Sequence, residues 1–240
     1  MKKLLLSLSL LMALCLQANA QYSRNSVTLG VGAGFVYGDN AGDYSSLNFP
    51  VRPAFTLGYT QEYNDRFDWR VSLGTQSVSG RLVDYPADDI AHWIEERNAL
   101  DFSGQAYYAD FMPIYHFTPY EGQFDFYGGL GLGLMFVNRT DQVLPFGLTP
   151  DMLRANDYSL ESQNRNTTSL YFPIRLGVTM NLENNWAIGL ELGSLIATSP
   201  RIDGNNQQWN SIPIDMLPQA QLILRKYLPW TARVQPTTLP

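Results

Sequence analysis

Phe126–Phe136 reads FYGGLGLGLMF. Its glycines are dense enough for a phosphate-binding loop, but their spacing is wrong. A dinucleotide fingerprint needs G-x-G-x-x-G between a strand and a helix. This stretch runs G-x-G-x-G, and no helical period follows it. In a strand, successive side chains point to opposite faces. Phe126, Leu130, Leu132, Leu134 and Phe136 then share one face with Gly128. Tyr127, Gly129, Gly131, Gly133 and Met135 share the other. One face is bulky and apolar, the other nearly bare.

The same two-residue period recurs along the chain. Val27, Leu29, Val31, Ala33, Phe35 and Tyr37 alternate with glycines and Thr28. Phe49–Thr60, Phe67–Gly74, Tyr107–Tyr115, Leu170–Met180, Trp186–Gly193 and Gln219–Arg225 behave alike, giving eight candidate strands with the opening stretch. Their connections also alternate in length. Short turns are expected near Asn64-Asp65, Pro119–Gly122 and Glu183–Asn185. Long loops are expected over Gly38–Asn48, Gly80–Asp101, Asn138–Thr167 and Ser199–Asn210. Short turns at one end and long loops at the other describe an outer-membrane barrel, and eight is its smallest even strand count.

The N-terminus directs the chain out of the cytoplasm. Lys2 and Lys3 precede an apolar Leu4–Leu16, and Ala18-Asn19-Ala20 forms an A-x-A cleavage site, so residues 1–20 read as a signal peptide. The apolar run is too short for a membrane-spanning helix. Bulky Leu14 before Cys15 argues against lipoprotein processing. Cleavage removes the only cysteine and leaves 14 basic against 22 acidic residues, a formal charge of −8. Disulfides and thiol chemistry are thereby excluded, and the charge argues against nucleic acid as a partner. With 45% apolar, 13% aromatic and only 16% charged residues, the chain is unusually rich in apolar residues for a soluble exported domain.

The two faces make distinct predictions. The outward face is Leu, Val, Ile and Phe, as lipid contact requires. Tyr37, Phe49, Tyr59, Phe67, Trp69, Phe117, Phe126, Trp186 and Tyr227 gather toward strand ends and predict interfacial aromatic girdles. A soluble sandwich with one greasy face is the competing reading. The inward face carries Arg52, Glu62, Arg70, Asp110, Arg175, Glu191 and Arg225. An eight-stranded lumen is just wide enough for side chains to fill, and buried charges must be paired. The expectation is a lumen closed by Arg–carboxylate pairs, with inward glycines making room for long arginines.

The loops supply few chemical candidates. Within Gly80–Asp101, PADDIAHWIEERNAL places Ile90, Trp93, Ile94 and Arg97 on one helical stripe, predicting a short helix with Trp93 as a possible partner contact. His92 and Glu96 are spaced i, i+4 with Asp88 a turn earlier, but the only other histidine is His116, so no metal or cofactor is expected. The same two histidines are the candidate bases of a rim-located enzyme. No G-x-S-x-G nucleophile motif accompanies them, so no enzymatic activity is expected. The sequons Asn138-Arg139-Thr140 and Asn166-Thr167-Thr168 carry little meaning in a bacterial-type barrel. The tail 228–240 contains three prolines, which forbid regular structure, and presents Trp230 as a second possible contact.

RPAFTLGYTQEYNDRFDWRVSLGTQSVSG (Arg52–Gly80), FDFYGGLGLGLMFVN and YFPIRLGVTMNLENNWAIGLELG resemble the strands of a family of small, OmpA-like outer-membrane β-barrels. That family includes the PorG-like proteins of the type IX secretion system. The resemblance covers most of Asn25–Tyr227. It implies an all-β, eight-stranded antiparallel transmembrane barrel over 21–227, located in the outer membrane. It also implies an accessory or anchoring role in protein secretion, through a periplasmic ring lipoprotein and its partner. It supplies no catalytic residues. The proline-rich tail and the loops depart from the family pattern, and a general structural or adhesive barrel is the alternative.

Overall fold

The computed structural model describes residues 25–42, 48–81, 94–118, 123–148, 159–205 and 214–228. Nine strands follow in order: β1 (Ser26–Gly34), β2 (Arg52–Glu62), β3 (Phe67–Arg81), β4 (Ala99–His116), β5 (Phe124–Leu130), β6 (Leu132–Val143), β7 (Glu161–Asn181), β8 (Trp186–Ala197) and β9 (Met216–Tyr227). All pairings are antiparallel. β1 pairs with β2 on one side and with β9 on the other, from Ser26↔Tyr227 to Gly34↔Gln219, so the sheet closes on itself. β5 and β6 are one stave broken at Gly131, and both lie between β4 and β7. The ring therefore has eight staves. A ring has no second sheet to cover its outer face, which rules out the sandwich reading.

That outer face carries a broad apolar belt. Leu57, Leu73, Leu134, Leu176, Leu190, Leu192 and Leu222 all stand outward and exposed, Leu192 at 63%. A continuous apolar belt of this extent is stable only against another apolar phase, here the lipid. No helix among the described residues is long and apolar enough to cross a membrane.

Short turns gather at one end. Asn64 Oδ1 accepts from the backbone of Arg66 and Phe67, both at 2.9 Å, closing the β2–β3 turn. Asn184 and Asn185, at φ 59° and 62°, make the β7–β8 turn in the left-handed region that asparagine tolerates. Long connections lie at the opposite end, but one is shorter than expected. β6 continues to Val143 and β7 begins at Glu161, so much of the expected Asn138–Thr167 loop is paired strand. β3 and β4 also run past the alternation that marked them, and pair as far as Arg81↔Asp101, at the bounds of the expected Gly80–Asp101 loop. The sequence hid these extensions because they rise above the membrane, where both faces are polar and the apolar alternation stops. Pairs such as Thr140–Asn164 (2.9 Å) hold them instead. The expected loop helix falls largely on 82–93, outside the described residues; Ile94 and Glu95 are helical, and the turn ends at Arg97, φ 56°.

Candidate functional site: the lumen and its mouth

Inward residues of neighbouring staves converge in layers. Nearest the turns, His116 on β4 lies between two carboxylates: Nδ1 is 2.7 Å from Asp125 and Nε2 is 2.9 Å from Asp68. Arg225 Nη1 reaches Asp125 at 3.3 Å. All four side chains are buried.

The next layer is a chain of ion pairs. Arg70 Nη1 donates to Glu191 at 2.6 Å. Arg175 bridges Glu191 (3.2 Å) and Asp110 (2.8 Å). Tyr127 and Tyr171 donate their hydroxyls to Glu191 (2.7 Å) and Asp110 (2.9 Å). The Tyr127 ring lies between the guanidiniums of Arg70 and Arg225, 5.2 and 4.9 Å from its centroid. Above it, Thr56, Tyr108, Gln76, Gln219 and Gln221 share neutral hydrogen bonds, such as Thr56–Tyr108 at 2.7 Å.

An apolar layer follows. Val36, Val78, Phe102, Met135, Leu195 and Leu217 pack together with Ile202, which the β8–β9 connection folds inward. Sequence reasoning missed this layer: Val36 falls within the Val27–Tyr37 alternation, but Val78, Phe102 and Ile202 lie beyond the strands that the alternation marked. The lumen is therefore filled both by ion pairs and by a hydrophobic plug.

Arg70, Asp110, Arg175, Glu191 and Arg225 thus meet in or beside one charge chain. Arg52 does not join it. It has inward parity but sits at the open end of β2, is exposed, and donates through Nε to Ser79 at 2.7 Å. Glu62 lies at the turn end of β2, half-buried and opposite Asp68. Asp68, His116 and Asp125 were absent from the expected set, although their parity marks them as inward.

Three inward glycines serve a different partner from the one expected. Gly74, Gly133 and Gly177 face Tyr108, Tyr171 and Tyr127 across the ladder. A Cβ at any of them would strike the facing tyrosine ring. Each glycine lets a tyrosine lie across the neighbouring strand, so that its hydroxyl reaches the polar layer. Arginines crowd Gly104, where an added Cβ would lie 2.7 Å from that of Arg139, and less closely Gly58 and Gly193, at 3.5 and 3.3 Å. In the opening stretch, Gly133 makes room for the Tyr171 ring, while Gly129 and Gly131 lie against Met112 and the β4 backbone.

Of the expected girdle, Phe67, Trp69, Phe117, Phe126 and Trp186 are exposed near the turn end, with Tyr59 half-buried beside them. Trp69 stacks on Phe111, centroids 5.2 Å apart. Tyr37 and Phe49 lie toward the loop end, Phe49 against Phe35 at 4.4 Å. Tyr227 does not belong to the girdle. It shares parity with Arg225, points into the lumen and contacts Asn181 at 3.3 Å. His92, Trp93 and Trp230 lie outside the described residues. His116 cannot act as a rim base, since both ring nitrogens are engaged and the side chain is buried at the turn end.

At the open end, Asp203 and Asp215 lie together beneath the loop carrying Asn40. Backbone amides of Asn40 and Asn205 donate to Asp203, both at 2.9 Å, and those of Ile202 and Asp203 donate to Asp215 at 2.6 and 3.3 Å. Both lie above the outward apolar belt. Burial raises both carboxyls: Asp203 to about 6, and Asp215, further opposed by the charge of Asp203, to about 8.

A closed antiparallel ring with a lipid-facing exterior and a filled polar interior is a transmembrane β-barrel. Residues 6–211 match the family model of the outer membrane protein beta-barrel domain, so the chain belongs to that family. The match stops short of β9, the strand whose pairing with β1 closes the ring. Among solved structures, it is similar to Ail, the attachment invasion locus protein of Yersinia pestis (13% identity, 86% of this chain and 99% of that chain covered, TM-score 0.45). Neisserial surface protein A is also similar (11%, 86% and 97%, 0.45), as is the N-terminal β-barrel domain of Pseudomonas aeruginosa OprF (10%, 85% and 99%, 0.40). These likenesses are too distant to add to the family assignment. Among curated proteins, none matches the chain.

Proposed function

We propose that this protein is a sealed, non-enzymatic outer-membrane barrel that serves as an accessory or anchoring component of the type IX secretion system. It would reach the membrane after loss of residues 1–20. The filled lumen is the observation that carries this reading. Arg70, Glu191, Arg175 and Asp110 occupy its middle, and a hydrophobic plug lies above them. A barrel with no passage works through its ends. The secretion assignment rests on the likeness of strand sequences from Arg52 to Gly193. Under this reading the β2–β3 and β7–β8 turns offer a surface to a periplasmic ring lipoprotein and its partner, and the tail 228–240, which lies almost wholly outside the described residues, is a second proposed contact.

The test is affinity purification of the tagged protein from gently solubilised outer membranes, followed by mass spectrometry. Co-recovery of ring components, lost on deleting 228–240 or altering the short turns, supports the reading. A solitary barrel overturns it.

One observation favours a second reading, an adhesive or structural barrel. β4 and β7 run to 18 and 21 residues, and their upper parts pair well above the apolar belt. They form a rigid platform for an external ligand. Under this reading secretion survives loss of the gene, and external binding is lost when the extensions are trimmed.

A further inference from the structure

The wall of the mouth carries a charge imbalance that the lumen below does not. Arg139 on β6 and Arg165 on β7 are direct cross-strand partners on the inward face. Like charges placed opposite one another weaken a sheet. A single carboxylate serves both: Arg139 Nε donates to Asp141 at 2.8 Å, and Arg165 Nε lies 3.7 Å from its second oxygen. Arg201 adds a third cation from the β8–β9 connection, its carbonyl accepting from Thr167 Oγ1 at 3.3 Å. Together these arginines line a pocket of about 220 Å³ with Thr167, Asn205 and, at the rim, Glu96.

The balance of groups around this pocket favours an anion. Of the side chains that line it, Arg139, Arg165 and Arg201 are guanidiniums and Glu96 is the one carboxylate; Asp141 and Asp203 offset part of the charge of Arg139, while nearby Arg97 is held by Glu161 at 2.5 Å. Arg165 sits above Leu170, where the outward apolar belt of β7 begins, and is therefore outside the membrane-spanning part of the strand. Its guanidinium is held below its ordinary value. Burial is the main cause; Asp141 opposes it, and Arg139, Arg97 and Arg201 add to it. A second, independent observation comes from Asn205. Its side chain is 1% exposed, yet neither its amide nitrogen nor its amide oxygen has a hydrogen-bond partner. Buried amides are normally satisfied, so this corner of the pocket lacks polar atoms.

We infer that this pocket binds a phosphate or sulfate ester group, held by Arg165 and Arg201 with Asn205 beneath. The planar guanidinium fork matches such oxyanions, and converging forks favour a tetrahedral group with more than one charged oxygen. The pocket opens inside the barrel wall and above the belt, so its ligand enters from the outer medium as a soluble or glycan-borne ester. The inference is independent of any role in secretion.

The test uses the full mature chain, folded in uncharged maltoside micelles and titrated calorimetrically at low salt with glucose 6-phosphate and with inorganic phosphate. Saturable binding of one ester per barrel is expected. Losing one charge-assisted contact should weaken it about tenfold or more in Arg165→Gln and in Arg201→Gln. Arg81→Gln, a cation at the open end of β3 that does not line the pocket, should leave it unchanged, and retained heat-modifiable mobility checks that each variant is folded. Absence of saturable binding, or equal weakening by Arg81→Gln, overturns the inference. A second arm repeats the titration in nanodiscs with and without phosphorylated lipopolysaccharide. Unchanged binding of glucose 6-phosphate is expected. Its displacement by the glycolipid would overturn the soluble source and assign the pocket to a lipid-borne phosphate.

Discussion

Replacing Arg175 by methionine should unfold much of what the lumen contributes. Arg175 is 2% exposed and bridges Asp110 at 2.8 Å and Glu191 at 3.2 Å. The two carboxylates lose unequal amounts. Glu191 keeps Arg70 at 2.6 Å and the Tyr127 hydroxyl at 2.7 Å. Asp110 keeps the Tyr171 hydroxyl at 2.9 Å as its remaining identified charge-stabilising contact. Leaving a buried charge without its counter-ion costs about 3–5 kcal/mol. The cost should therefore fall mainly on Asp110, and removing that carboxylate as well should recover most of it. The assay is urea unfolding in phospholipid vesicles, followed by tryptophan fluorescence and by heat-modifiable gel mobility. Arg175→Met should lose about 3–5 kcal/mol, and Arg175→Met/Asp110→Leu should return to within about 1–2 kcal/mol of the parent. A single variant as stable as the parent, or a double variant worse than the single, would refute the pairing scheme.

Other expectations use the same unfolding assay. Gly177→Val drives a side chain into the Tyr127 ring and should cost about 1–3 kcal/mol, part of which Tyr127→Ala should restore in the double variant. Leu190→Arg places a charge on the lipid face near mid-strand of β8 and should cost about 2–4 kcal/mol in bilayers. Asp203 and Asp215 predict a pH dependence of definite sign. Their folded-state values lie above the ordinary carboxylate value near ~3.9, so folding favours the protonated forms. Their contribution is complete below about pH 4 and is lost as pH rises toward about 8. Asp215→Asn should flatten that decline and leave the barrel more stable than the parent at pH 8.

The membrane-embedded part of the fold was legible because lipid imposes a strict two-residue period. Leu130, Leu132, Leu134 and Phe136 mark β5 and β6 from sequence alone, and the outer surface follows directly. Parity also places Arg70, Asp110, Arg175, Glu191 and Arg225 inside, but it cannot say which acids meet which bases. Pairing depends on the stagger between staves, and Glu191 meets Arg70 across the ring from β8 to β3. Tyr227 shows what happens when parity is overridden: its place at the end of the last strand suggested a girdle residue, while its register with Arg225 points it inward. The Gly–Tyr pairs follow from register as well, since Gly133 and Tyr171 are far apart in sequence and meet only once β6 and β7 are aligned. The mouth was least legible. Ile202, Asp203 and Asn205 sit on a connection without periodicity, and only the fold turns them inward.

The claim that the lumen is sealed is tested most directly by conductance of the purified barrel in planar lipid bilayers at neutral pH. The ion-pair layer and the hydrophobic plug predict insertion without steady ion current. Steady current through the parent protein would contradict the account, because no continuous aqueous path can coexist with both layers.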